Sequence, residues 1–157
     1  DPSRRRVAVP GDPSGDVRLD LDPGLPTIVT DAERLRTALV NMLVNARHAL
    51  AARADTGEGG DGGVAVADEP GIIVATRRLG NGVVITIGDR GVGIPPEDLA
   101  HIFDPYYTTR RAGTGLGLPI AKNIIEGLGG TISVSSRTGE GTSIQVDLPQ
   151  TAPGARA

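Results

Sequence analysis

The sequence predicts an α+β domain built as a two-layer sandwich, a mixed and mostly antiparallel sheet packed on helices. Three observations carry that reading. Gly80-Asn81-Gly82 separates two β-rich runs and Arg137-Thr138-Gly139-Glu140-Gly141 separates two more, so four strands are joined as hairpins. Residues 32–52 and 117–128 have helical spacing instead. A sheet and two main helices, each with one apolar side, bury those sides by stacking in layers.

Each element has its own warrant. Val17-Arg18-Leu19-Asp20-Leu21 alternates as a strand does, and residues 27–30 form a short β-prone run. Asp31 stands where an N-cap belongs, just before the first helix. Within that helix Leu35, Ala38, Leu39, Met42, Leu43, Ala46, Ala49 and Leu50 form one apolar stripe, suited to packing on a sheet. Residues 72–78 and 83–87 are the first hairpin. The second helix ends at Gly129-Gly130, a C-cap signal, and residues 131–136 and 142–148 form the second hairpin. Residues 1–16 contain Arg4-Arg5-Arg6, Pro and Gly without periodicity, which reads as a linker remnant or frayed terminus. The tail, residues 149–157, is similar. Residues 54–70, rich in Gly, Asp and Glu, are expected to be a disordered insertion, leaving 17–148 as the folded domain.

Composition removes several function classes. The 157 residues are 38% hydrophobic and 22% charged, the balance of a globular domain large enough to need no staples. No cysteine is present, which excludes disulfides, a thiol nucleophile and cysteine-ligated metals. The two histidines, His48 and His101, are too few for a histidine-rich metal site. A net charge of -3 argues against a nucleic-acid partner held through its phosphates. The aromatics, Phe103, Tyr106 and Tyr107, make up 2% and offer no stacking platform for single strands. No apolar run approaches the ~18 residues of a membrane span, so no membrane contact is expected and the expected compartment is the cytoplasm.

Three clusters carry chemistry. Asn41, Asn45 and His48 are spaced i, i+4, i+7, which places them within about 60° on one helix face, with Arg34 two turns earlier. That face is either a solvated polar surface or a ligand set, amide oxygens for a hard cation and Arg and His for phosphate. Second, Asp89-Arg90-Gly91-Val92-Gly93-Ile94 directly follows a strand. Asp89 is either a turn residue accepting backbone amides or an acceptor at the floor of a pocket. In the second reading it meets a donor such as an adenine amino group, and the glycines admit a flat ring. Third, residues 103–118 read Phe-Asp-Pro-Tyr-Tyr-Thr-Thr-Arg-Arg-Ala-Gly-Thr-Gly-Leu-Gly-Leu and end where a helix begins. Free N–H groups at a helix N-terminus suit phosphate. No Lys-Ser/Thr follows the glycines, so this is not a P-loop, and the hairpin after the helix excludes a dinucleotide-binding turn. Phe103, Tyr106 and Tyr107 either pack in the core or belong to a lid over a ligand.

Taken in order, Asn41-Met42-Leu43-Val44-Asn45-Ala46, Asp89-x-Gly91-x-Gly93, residues 103–109, Gly113-Thr114-Gly115-Leu116-Gly117-Leu118 and Gly141-Thr142 resemble five sequence boxes of a known family. That family is the catalytic, ATP-binding domain of sensor histidine kinases, relatives of the gyrase, chaperone and mismatch-repair ATPases, with the Bergerat-type ATP-binding fold. The Pro-Tyr-Tyr-Thr-Thr run is most similar to the nitrogen-regulation class. The resemblance implies Mg²⁺ and ATP or ADP as ligands. It implies Asn45 as the magnesium ligand, with Asn41 supporting metal or phosphates and His48 along the phosphates beside Arg34 or Arg47. Asp89 would accept from adenine, with Gly91, Gly93 and Ile94 shaping the pocket and Thr142 supporting Asp89. Phe103 would anchor a lid over residues 104–114 in which Tyr107, Thr109 and Arg110 meet the nucleotide, with Arg110 or Arg111 approaching the γ-phosphate. Gly113, Thr114, Gly115, Leu116, Gly117 and Leu118 would cradle the triphosphate.

The choice of reaction turns on Asn41. In the ATPase relatives a glutamate holds the first position of that box, and an asparagine cannot act as the base for water. Phosphoryl transfer to a histidine is therefore favoured over an ATPase of the chaperone, gyrase or mismatch-repair type, and over a binding module without catalysis. Asn41, His48 and Arg110 are the expected catalytic residues. Neither His48 nor His101 sits in the family's phosphoacceptor motif. The expected partners are thus a separate dimerisation domain of the same parent and, indirectly, a response regulator. The chain alone is expected to be a monomeric piece of a larger kinase.

Overall fold

The computed structural model describes residues 4–7, 17–56, 71–104 and 117–154. Among the described residues, six strands form one sheet: β1 (Arg4–Val7), β2 (Val17–Asp20), β3 (Ile72–Leu79), β4 (Gly82–Asp89), β5 (Thr131–Arg137) and β6 (Gly141–Leu148). Their order is β1-β2-β3-β4-β6-β5, with β2 and β3 parallel and every other pair antiparallel. The parallel pair follows from connectivity, since α1 (Ala32–Thr56) lies between β2 and β3 and returns the chain in the same sense. Two further helices, α2 (Pro96–Leu99) and α3 (Gly117–Gly127), complete the α+β sandwich that the sequence predicts.

Local chemistry sets the helix ends. The Arg34 N–H donates to Asp31 Oδ1 at 3.1 Å, so Asp31 is the N-cap of α1, a role worth about 1 kcal/mol. At the far end of α3 the Gly130 N–H donates to the Ile125 carbonyl at 2.9 Å and the Gly129 N–H to that of Glu126 at 3.0 Å. This pair of bonds is the Schellman closure expected at Gly129-Gly130.

The core lies between one sheet face and the two long helices. Ala38, Met42 and Ala46 of α1 meet Leu118, Ala121 and Ile125 of α3 over Ile72, Ile85, Ile87, Ile144 and Val146 of the sheet. Period-two alternation puts Val83, Ile85 and Ile87 of β4 opposite Leu148, Val146 and Ile144 of β6, all on the helix side.

Three expectations need correction. Arg4–Val7, read as linker, pair antiparallel with Val17–Asp20 at the sheet edge. Backbone ladder bonds need no side-chain alternation, so this strand leaves no pattern in the sequence. Residues 27–30 make only one bridge rather than a strand, Val29 to Thr151, with the Val29 N–H donating to Gln150 at 2.7 Å and its carbonyl accepting from Ala152 at 2.8 Å. That bridge docks the start of the tail and buries Ala152, so residues 149–152 belong to the folded body. Residues 57–70 of the expected insertion and 105–114 of the expected lid lie outside the described residues.

Candidate functional site

The apolar face of the sheet ends in polar residues. Ile72, Asp89, Thr142 and Ser136 stand in one row across β3, β4, β6 and β5. The row continues the alternation of the core, so Asp89 and Thr142 point to the helix side, 8% and 5% exposed. A carboxylate buried there needs hydrogen bonds, and the Gly91 N–H supplies one to Oδ1 at 2.8 Å. The Thr142 hydroxyl pairs with Ser136 Oγ at 2.9 Å.

The loop after Asp89 is fastened on every side. The Arg90 N–H donates to Gly71 at 3.0 Å, the Val92 N–H to Ala49 of α1 at 3.3 Å, and the Gly139 N–H to the Val92 carbonyl at 2.8 Å. The Ile94 N–H donates to Ser136 Oγ at 2.7 Å, and Ser136 Oγ lies 2.9 Å from the Gly141 carbonyl. Ser136 thereby ties Ile94 to Thr142. It is the residue that the sequence reading missed, although the hairpin register alone sets it opposite Thr142. The two loop glycines also have a packing role beside the one expected. A Cβ on Gly91 would fall 2.5 Å from Ala49 Cβ, and one on Gly93 would run into the Arg137 carbonyl. Both are needed for backbone packing, of the loop on α1 and on the β5–β6 hairpin. Gly93 has φ +76, so Gly93→Ala combines a clash with an unfavourable backbone. It is expected to cost about 1–3 kcal/mol and to lower the midpoint of thermal unfolding; an unchanged midpoint would contradict this packing role.

Helix α1 divides its polar face. Asn45 is 7% exposed and makes no side-chain hydrogen bond to another described residue, Asn41 is half-buried, and His48 is exposed. Burial removes the solvated-surface reading for Asn45. The periodicity that grouped the three residues ignores how deeply each faces the neighbouring elements. Arg34 leaves the group altogether. Its guanidinium Nη2 is 3.6 Å from where a Cβ on Gly127 would stand, so it lies by the last turn of α3. There a cation complements the negative helix end. The contact joins the first turn of α1 to the last of α3, which leaves the turns bearing Asn41, Asn45 and His48 for the N-terminal half of α3.

Of the third cluster, Phe103 packs against the core, and Lys122 Nζ of α3 lies 5.2 Å from its ring centroid, a cation–π contact. The chain therefore leaves toward residue 105 from a point held against the helix at which it returns. His101 Nδ1 lies 2.9 Å from Asp104 Oδ2 on the surface beside it. Leu118 is buried in the core, so only its backbone can face a ligand. Gly117 opens α3, whose first turn carries no acidic residue and leaves N–H groups without helical partners. Tyr107, Thr109, Arg110, Gly113, Thr114, Gly115 and Leu116 lie outside the described residues.

The structure thus brings Asp89, Thr142, Gly91, Gly93 and Ile94 together at one end of the sheet, joined to α1 at Ala49, one turn after Asn45. Residues 30–152 match the family described as histidine kinase-, DNA gyrase B-, and HSP90-like ATPase. Among curated relatives, the sensor histidine kinase ZraS of Escherichia coli is 38% identical over 133 residues, covering 85% of this chain and 25% of that protein. The sensory histidine kinase/phosphatase NtrB of Rhizobium meliloti is 34% identical over 132 residues, covering 82% of this chain and 33% of that protein. This chain therefore spans a quarter to a third of the length of these relatives. Among solved structures, full-length ShkA in complex with AMPPNP superposes with a TM-score of 0.68 at 26% identity, covering 89% of this chain and 26% of that one. The catalytic domain of the histidine kinase ThkA gives 0.59 at 29% identity, covering 79% and 71%. With the fold, the ordered motifs and these matches in agreement, the chain belongs to the histidine kinase-, DNA gyrase B- and HSP90-like ATPase family.

Proposed function

We propose that this chain is the ATP-binding catalytic domain of a two-component sensor histidine kinase, acting on a histidine of a separate dimerisation domain. The observation that carries this reading is the buried Asp89 at the end of the core face, set beside Thr142 and next to the asparagine-bearing turns of α1. A carboxylate in that position accepts from the adenine amino group, and the fastened loop keeps it in place before the nucleotide arrives, which limits the ordering cost of binding. Asn41, where the ATPase relatives carry a glutamate, offers no base for water and favours transfer to a protein nucleophile. The first turn of α3 presents N–H groups toward phosphate, and Phe103 anchors the segment that leads to Arg110.

The donor set fits a magnesium ion. Asn45 is 7% exposed as a residue and its amide makes no hydrogen bond to another described residue, and its oxygen is the hard donor such a cation takes. Asn45 would hold the ion with support from Asn41, and the ion, when bound, supplies positive charge against the triphosphate. His48, exposed one turn later, would reach the phosphates from the solvent side. The parent kinase would act in the cytoplasm, with this domain a monomer and a response regulator downstream; no described helix is long and apolar enough to cross a membrane.

Calorimetry with ATP, with and without Mg²⁺, tests the reading. The chain is expected to bind ATP with a dissociation constant of about 1 μM to 1 mM. Asn45→Ala should remove most of the enhancement by Mg²⁺ while leaving the fold intact. Absence of ATP binding, or an unchanged Mg²⁺ dependence in a folded variant, would overturn it.

A further inference from the structure

The Ser136 hydroxyl is fully engaged. Its Oγ lies 2.7 Å from the Ile94 nitrogen, 2.9 Å from the Gly141 carbonyl oxygen and 2.9 Å from Thr142 Oγ1. A serine hydroxyl has one proton to donate and two lone pairs with which to accept, so three partners exhaust it. Two of these bonds run in only one direction. The Ile94 N–H brings its own proton and occupies one lone pair. The Gly141 carbonyl has no proton, so the serine proton goes there. The reverse orientation would set a lone pair against the carbonyl oxygen at 2.9 Å. That carbonyl belongs to a backbone pressed against β4, since Gly141 has φ +124 and a Cβ on it would run into the Asp89 carbonyl. The third bond must therefore use the threonine proton, and Thr142 donates to Ser136.

The consequence falls on Thr142. It is 5% exposed, and Ser136 is the sole hydrogen-bond partner of its hydroxyl among the described residues. With its proton committed, the Thr142 oxygen can only accept. Thr142 stands directly opposite Asp89 in the β4–β6 register, on the same side of the sheet. Asp89, Ser136 and Thr142 also line one cavity, of about 330 Å³. A carboxylate likewise offers only lone pairs. The end of the sheet thus presents two adjacent acceptors, and Ser136 is what removes the donor from one of them. Such a pair suits an amino group, which has two N–H donors, and opposes a keto oxygen, which has none.

We propose that Ser136 is a positioning residue that determines base specificity: by holding the Thr142 hydroxyl as an acceptor, it makes the site prefer an amino purine to an oxo purine. The inference rests on the nucleotide reading of the Asp89 site. Ser136 acts through Thr142 and not by contact with the nucleotide. Without the serine, the Thr142 hydroxyl is free to turn its proton toward a keto oxygen.

The test is a double-substitution cycle on this chain, read by calorimetry as the ratio of ATP affinity to inosine triphosphate affinity. The two nucleotides share ribose and phosphates and exchange the amino group of the base for an oxo group. The unaltered chain is expected to bind ATP at least about tenfold more tightly. Ser136→Ala should lower that ratio about fivefold. Thr142→Val, which keeps the shape without the hydroxyl, should lower it by a similar factor. In the Thr142→Val background Ser136→Ala should leave the ratio unchanged, because the group it acts through is gone. A purely structural role in holding the Ile94 loop would weaken both nucleotides alike and leave every ratio where it was. Should Ser136→Ala fail to fold, Ser136→Cys, whose thiol is a weak donor and acceptor, takes its place in the cycle. A chain that binds neither nucleotide overturns the nucleotide reading and this inference with it. If the chain binds ATP but does not prefer it, this inference alone is overturned. The same holds if the ratio survives the serine substitution, or falls with it equally in both backgrounds.

Discussion

Asp89→Asn is expected to weaken ATP binding about 5- to 150-fold, the equivalent of about 1–3 kcal/mol for a mismatched buried partner. The substitution preserves shape and leaves an oxygen to accept from the Gly91 N–H, the 2.8 Å bond that turns the loop. Its effect falls on the other end of the group. A carboxylate presents two acceptors, whereas an asparagine presents an NH₂ donor to the donating adenine amino group. Guanine carries an acceptor at the matching ring position, so the variant should also lose discrimination between ATP and GTP. Calorimetry with both nucleotides checks this, beside a thermal melt that shows the variant folded. Equal ATP affinity in the two proteins would remove Asp89 from the site and leave it as a turn residue capped by Gly91.

The parts of this site that were legible in the sequence are those set by local rules. The two hairpin signals gave β3 to β6 and set Asp89 at the end of a strand, where it shares the buried side of Ile87 and Ile85, two and four residues earlier. Asp31 and Gly129 marked helix ends because the backbone groups there need partners. What stayed hidden depends on tertiary contact. Asn45 and His48 share a helix face, yet one is buried and the other exposed, and only the elements packed on α1 decide which. Arg34 looked like a phosphate ligand from its spacing and instead lies at the end of α3. Arg4–Val7 joined the sheet through backbone bonds, which no side-chain pattern announces. Gly91 and Gly93 were recognisable as special, but the neighbour requiring each, Ala49 for one and Arg137 for the other, is remote in sequence.

The proposed reaction divides labour between this chain and a partner domain, which makes its largest effect all-or-none. Phosphoryl transfer rests on positioning and charge neutralisation, and the nucleotide half alone holds no correctly placed nucleophile. Asn41 cannot prepare water, so the isolated chain should bind ATP without consuming it quickly. A phosphoacceptor domain added in trans brings the histidine, and joining the two in one polypeptide raises its effective concentration.

Incubation with γ-labelled ATP, with and without a dimerisation domain from the parent kinase, therefore tests the account most directly. The predicted result is no label on this chain alone, slow labelling of the added domain, faster labelling when the two are fused, and a label that survives base and is lost in acid, as phosphohistidine is. Rapid phosphate release by the isolated chain, or an acid-stable label on the partner, would contradict it.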